Sequence, residues 1–170
     1  MNAALELVNS EWWRGRSGGE IDKLEETAWL TAFAAGCGLG ELPPPTAHEL
    51  RELRELRSRL RALVEAPGGD LTPLDEYVRR APVRRRVVAG ELALEPVARG
   101  WRWALSEIAA SYVALVARGE PGRIKVCANH ECQWSFYDES KNRSRRWCGA
   151  ASCGTADKVR RFRERRRAAA

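Results

Sequence analysis

The chain has 170 residues and a mass of 19.1 kDa, is 44% hydrophobic and 31% charged, and carries a formal net charge of +6. That is enough apolar material for a packed core, which excludes a wholly disordered chain. No run of about 18 apolar residues occurs, which excludes a transmembrane helix, and the acidic opening MNAALELVNSEWWRG is unlike a secretory leader, so a soluble, cytoplasmic protein is expected.

In chain order, LELVNS at 5–10 begins with a short apolar stretch, followed by Trp12, Trp13 and a Gly-rich loop at 15–19. Residues 21–35 read as a helix carrying Leu24, Ala28, Trp29, Ala32 and Phe33, ended by Gly36, Gly38 and Gly40. Pro43, Pro44 and Pro45 break the chain, and Thr46 with Glu49 forms a capping-box pattern. The helix from 47 to about 65 places Leu50, Leu53, Leu56, Leu60 and Leu63 on one face. Its arginines, Arg51, Arg54, Arg57, Arg59 and Arg61, are nearly balanced by Glu49, Glu52, Glu55 and Glu65, and Glu55 with Arg59 is a favourable i,i+4 pair. They read as a solvated face rather than a nucleic-acid surface. Pro67, Gly68 and Gly69 end this helix, and a shorter one follows at about 73–80.

The period then changes. VRRRVVAGELALEPV at 83–97 has β-branched residues around Ala89 and Gly90, which predicts a hairpin. Arg84, Arg85 and Arg86 suit edge-strand protection. A helix returns over 100–118 with Trp101, Leu105, Ile108, Tyr112, Leu115 and Val116 as core positions, and Gly119, Glu120, Pro121 and Gly122 read as a linker. Trp12, Trp13, Trp29 and Trp101 are expected to serve packing before any ligand pocket.

Charge and cysteine are both concentrated beyond that linker. Residues 1–120 hold 16 basic and 18 acidic side chains, whereas residues 121–170 hold 13 and 5. A nearly neutral body with a basic end suggests a polyanion partner; compositional drift explains Arg over Lys but not the thinning of acids. Cys127, Cys132, Cys148 and Cys153 lie in a C-x4-C-x15-C-x4-C pattern, while Cys37 stands apart and reads as a small, half-buried hydrophobe. Two soft-ligand pairs at equal spacing suit a tetrahedral Zn²⁺ site; two disulfides or an iron–sulfur centre are the competing readings. His130 lies between the first pair and is expected to face solvent.

RIKV at 123–126 and WSFYD at 134–138 read as short strands, with Trp134 and Phe136 on one face, supplying core rather than base stacking. Trp147 is expected to pack on the knuckle. GTADKVRRFRERRR reads as a helix with Thr155 as N-cap, Asp157 in its first turn, and a narrow stripe of Ala156, Val159 and Phe162. Arg163 and Arg166 extend that stripe, so the last turn is expected to project. The candidate nucleic-acid contacts are Lys141, Arg143, Arg145, Arg146, Lys158, Arg160, Arg161, Arg163, Arg165 and Arg167.

The stretch from Cys127 to Arg166, CANHECQWSFYDESKNRSRRWCGAASCGTADKVRRFRERR, resembles the CGNR zinc finger. The family's residues appear here as Cys127, Cys132, Phe136, Asp138, Ser140, Asn142, Arg145, Arg146, Trp147, Cys148, Cys153, Gly154, Lys158, Val159, Arg160 and Arg163. Thr155 and Ala156 stand where the family has its name-giving Asn and Arg, a departure that bears on specificity and not on the four thiols. Residues 3–120, with LELVNS, Trp29-Leu30 and LRELRSRLRAL, resemble the ABATE domain. The resemblance implies a bacterial transcription regulator, often labelled stress-induced, with a sensor-like N-terminal domain.

The expected architecture is α+β: a mainly helical N-terminal domain with a small hairpin over 1–120, and a treble-clef-like four-cysteine finger over 123–170. The expected function is zinc-dependent binding of double-stranded DNA. A zinc-stabilised RNA-binding or protein-interaction module is the alternative. A small-molecule effector at the N-terminal domain and a homodimer are further partners to consider. An enzyme is not expected: there are two histidines, no G-x-S-x-G or P-loop signature, and a four-thiolate ion has no open position.

Overall fold

A computed structural model describes residues 1–13, 20–118, 120–129 and 131–168. The Gly-rich loop at 15–19, Gly119 of the linker and His130 lie outside the described residues, as do the side chains of Trp12 and Trp13. The chain runs α1 (Ala3–Val8), β1 (Glu11–Trp13), β2 (Glu20–Asp22), α2 (Thr27–Gly36), α3 (Ala47–Glu65), α4 (Thr72–Val78), β3 (Val83–Val88), β4 (Glu91–Pro96), α5 (Trp101–Ala117), β5 (Ile124–Val126), β6 (Ser135–Tyr137) and α6 (Thr155–Ala168). The strands form three separate antiparallel pairs.

The core sits where α1, α3 and α4 meet α5. Leu7, Leu53, Leu56, Leu60, Leu74, Leu105 and Ile108 are fully buried there, each worth about 1.5–3 kcal/mol. α3 begins with the predicted capping box: Thr46 Oγ1 accepts from the Glu49 N–H, and the Glu49 carboxylate accepts from the Thr46 N–H. Trp101 donates Nε1–H to the Pro43 carbonyl at 2.7 Å, tying the proline loop to α5. Trp29 stacks on Phe33 with ring centroids 4.9 Å apart. Cys37 is half-buried against the core, and burial together with the nearby Glu6 charge pushes its thiol up to about 11.

Two sequence expectations are corrected here, and one strand pair is added. The helix expected at 21–35 starts at Thr27, because Asp22 caps a short 3-10 turn at 23–25 and Glu26 is extended. Residues 11–13 and 20–22 pair as strands, with Trp12 opposite Ile21. Arg57, placed on the solvated face of α3, is buried. Its Nη1 donates to Asp22 at 2.6 Å and Ser10 at 3.0 Å, and its Nη2 donates to Glu11 at 2.8 Å. Arg54 and Arg61 flank it on Asp22 and Glu11, and Arg59 lies 4.0 Å from Glu76.

The hairpin forms where predicted. Val83 to Val88 pair with Pro96 to Glu91, and Ala89 and Gly90 take the positive φ values of 52° and 84° that a two-residue turn needs.

Candidate metal centre and nucleic-acid interface

The C-terminal segment brings its cysteines together in two steps. β5 and β6 pair with Lys125 opposite Phe136, and the Cys127 N–H extends that ladder to the Trp134 carbonyl at 2.9 Å. Between them the Asn129 carbonyl accepts from Cys132 and Gln133 N–H, and Gln133 turns the chain back at φ 52°. The second pair lies at the start of the last helix. Ala128 N–H reaches the Arg146 carbonyl at 2.8 Å, placing Cys148 beside Cys127. A wide helical turn at 150–154 then delivers Cys153. Trp147 packs its ring over buried Gly154, as expected of it.

All four sulfurs lie within 4.8 Å of one another; Cys132–Cys148 is 3.6 Å and Cys148–Cys153 is 3.7 Å. A tetrahedron with metal–sulfur bonds of about 2.3 Å has edges of about 3.8 Å, so this donor set fits one Zn²⁺. Burial and the crowding of neighbouring thiols raise Cys132 to about 11 and also raise Cys148. Burial opposes ionisation of Cys153 too, but the Asn129 amide at 3.6 Å and the adjacent thiols outweigh it and lower that group. A divalent cation at the centre would relieve that crowding and release the protons.

A second feature involves a residue that the family motif names without assigning it a role. Asp138 is fully buried and accepts from Lys125 Nζ at 2.6 Å, Ser140 Oγ at 2.6 Å, Ser140 N–H at 2.9 Å and Arg145 N–H at 3.0 Å. Burial alone would raise its pKa; these donors hold it well below the usual carboxylate range. The available signal was the family's F-x-D-x-S pattern, met here by Phe136, Asp138 and Ser140, which names the acid but not its partners. Phe136 is buried beneath the Arg145 guanidinium, 4.7 Å from its ring centroid, so it serves the core.

The ten candidate nucleic-acid residues separate by environment. Arg145 is committed internally: its Nε donates to the Trp147 carbonyl at 2.9 Å and its Nη2 donates to the Cys148 carbonyl. Arg143 pairs with Glu120 at 3.1 Å, and Arg160 lies between Asp157 at 2.6 Å and Glu164 at 3.0 Å. Arg146 sits over Trp147. Lys141, Lys158, Arg161, Arg163, Arg165 and Arg167 are exposed and form no ion pair among the described residues.

α6 itself differs from expectation at both ends. Thr155 is not its N-cap: it is already helical and donates Oγ1–H to the Ala150 carbonyl at 3.3 Å, because the wide turn starts the helix earlier. Ala156 is exposed, and Val159 and Phe162 are 43% and 53% exposed, so the apolar stripe covers no core and most of α6 projects, not the last turn alone.

The family model described as "Putative stress-induced transcription regulator", ABATE, matches residues 1–119. The chain belongs to the ABATE family. The model of the CGNR zinc finger matches residues 123–166, where the thiols converge. This ABATE chain therefore joins a mostly helical N-terminal region to a zinc-finger segment in the arrangement expected from its motifs. No curated protein matches it. No described helix is long and apolar enough to cross a membrane.

Proposed function

We propose that this ABATE protein is a zinc-dependent DNA-binding regulator, with Cys127, Cys132, Cys148 and Cys153 holding the ion and α6 contacting duplex DNA. The observation that carries the reading is the stripe of Lys158, Arg161 and Arg165. These residues recur at helical spacing on one face of an exposed helix, with no acid paired to them among the described residues. Guanidinium groups so placed suit bidentate phosphate contacts. The ion's part is to fix the start of that helix, and a closed four-thiolate shell gives it no catalytic position. A reducing compartment keeps the four thiols available. The cleft of about 520 Å³ beside Trp101, lined by Thr27, Leu30, Thr31 and the proline loop, has room for a small-molecule effector.

The test is affinity for duplex DNA measured by fluorescence anisotropy between 50 and 200 mM salt. Binding is expected to weaken steeply, and K158A/R161A/R165A is expected to lower the slope of log K against log salt by about 3. It should weaken all sequences alike, as phosphate contacts do. Absence of binding at 50 mM salt, or an unchanged slope in the triple variant, overturns the reading. Preference for single-stranded or structured RNA in competition moves it to the RNA-binding alternative.

A further inference from the structure

α6 carries a pattern that phosphate contacts leave unused. At about 100° per residue, Val159 and Phe162 lie side by side on one face. Arg166 follows on the same line, its guanidinium over the Phe162 ring at 5.8 Å from the centroid. Lys158, Arg161 and Arg165 run along one flank of this stripe, and Arg163 and Arg167 along the other. Those five side chains are exposed and form no ion pair among the described residues. Both acids of the helix, Asp157 and Glu164, lie on the opposite face, where Arg160 pairs with each of them. An apolar stripe on a surface helix ordinarily faces its own core. Here Val159 and Phe162 are 43% and 53% exposed, and α6 packs chiefly on the wide turn that precedes it.

Resting on the DNA-binding reading above, we propose that Val159 and Phe162 read bases: they recognise the 5-methyl groups of thymines in the major groove. Shape and charge select the occupant. A helix about 10–12 Å across enters a major groove about 12 Å wide, so one face meets the base edges and the two flanks meet the two phosphate strands. α6 has unpaired cations on both flanks, an apolar stripe between them and its acids turned away, which is the charge pattern such a groove demands. The stripe then decides which base is read. Val159 and Phe162 offer no hydrogen bond, so they do not match the donor and acceptor edges of guanine, adenine or cytosine. Thymine alone presents an apolar group there, its C5 methyl. Double-stranded RNA fails twice: its major groove is too deep and narrow for side chains to read, and uracil lacks the methyl.

The test compares two duplexes of identical A·T sequence, one built with thymidine and the other with deoxyuridine, which differ only in that methyl. Each is titrated with the full-length, zinc-loaded protein by fluorescence anisotropy across a salt series, as wild type and as V159A/F162A. Both positions are exposed and alanine favours the helix, so the variant keeps α6 intact. Each methyl covered by the stripe is worth about 4-fold, so wild type is expected to bind the thymidine duplex about 10-fold more tightly. In V159A/F162A that ratio is expected to fall to about 1, with the wild-type slope of log K against log salt, because the phosphate contacts remain. Salt-dependent binding of equal strength to both duplexes overturns the inference and leaves the DNA-binding reading standing. A thymidine preference that survives V159A/F162A overturns it as well, by placing the methyl contact on other residues. Absence of binding to either duplex overturns the DNA-binding reading itself, and the inference with it.

Discussion

A guanidinium taken out of water is costly unless its charge and its N–H groups are met, and Arg57 shows how the cost is offset. Ser10, Glu11 and Asp22 converge on its two terminal nitrogens, while its buried Nε has no partner among the described residues. The pairing works in both directions. Burial alone would raise the Asp22 pKa, but the bonds from Arg57 and Arg54 outweigh it and hold the carboxyl below its ordinary value. A depressed folded-state pKa stabilises the fold above the unfolded value, and that stabilisation is lost as pH falls through it, here below about pH 4. R57M is therefore expected to lose about 3 kcal/mol at pH 7 by urea unfolding and to show a shallower fall in stability between about pH 4 and pH 2. A variant as stable as wild type at pH 7 would show that the cluster is solvated. The burial of Arg57 was partly legible: Leu53, Leu56, Arg57, Leu60 and Val64 share one helical stripe, and Arg57 falls within it. Its partners lie 35 to 47 residues earlier in the chain, in or beside strands too short to announce themselves. Asp138 was legible only as a motif position, since the pattern says nothing of the donors that folding gathers around it.

Elements were legible in proportion to the length of their periodic signal. α3 and α5, at 19 and 17 residues, were placed to within about a residue, and the hairpin was placed by Ala89 and Gly90. The three-residue strands β1 and β2 carry too little alternation to be read. α6 was legible as a helix, but its apolar stripe suggested a contact that does not form. Fourteen residues are marginal for a helix without tertiary packing, and like-charged neighbours weaken it further. Asp157 in its first turn and Arg165, Arg166 and Arg167 in its last favour the helix dipole, and on the proposed reading an ion held by Cys148 and Cys153 limits fraying at its start. Removing the ion with a chelator under reducing conditions is expected to cost the far-UV helical signal of about α6 alone. The near-UV signal of the buried Trp101, Trp103 and Tyr112 should persist. Loss of both signals at one chelator concentration would mean that the finger and the helical core unfold as a unit.

That outcome depends on the seam between the two segments. Ile124 of β5 enters the same core as α1 and α3. Beside it, Asn9 donates Nδ2–H to the Ser135 carbonyl at 2.9 Å and accepts from the Ser135 N–H at 2.7 Å. One side-chain amide thus completes the outer edge of β6 as another strand would, and all of these groups are buried. Asn9 directly precedes Ser10, which holds Arg57, so a continuous polar path runs from Asp22 through Arg57 to the knuckle strand. In N9A both backbone groups of Ser135 lose their partner away from water, a cost of about 2 kcal/mol or more. If the finger opens separately, amides of residues 124–137 are expected to exchange roughly 30-fold faster, while those in the middle of α3 keep their wild-type rates. Equal acceleration in α3 would show that opening is global. Unchanged exchange at 124–137 would show that Ile124 and its apolar neighbours hold the seam without the amide, leaving the Asn9 pair to set register rather than strength.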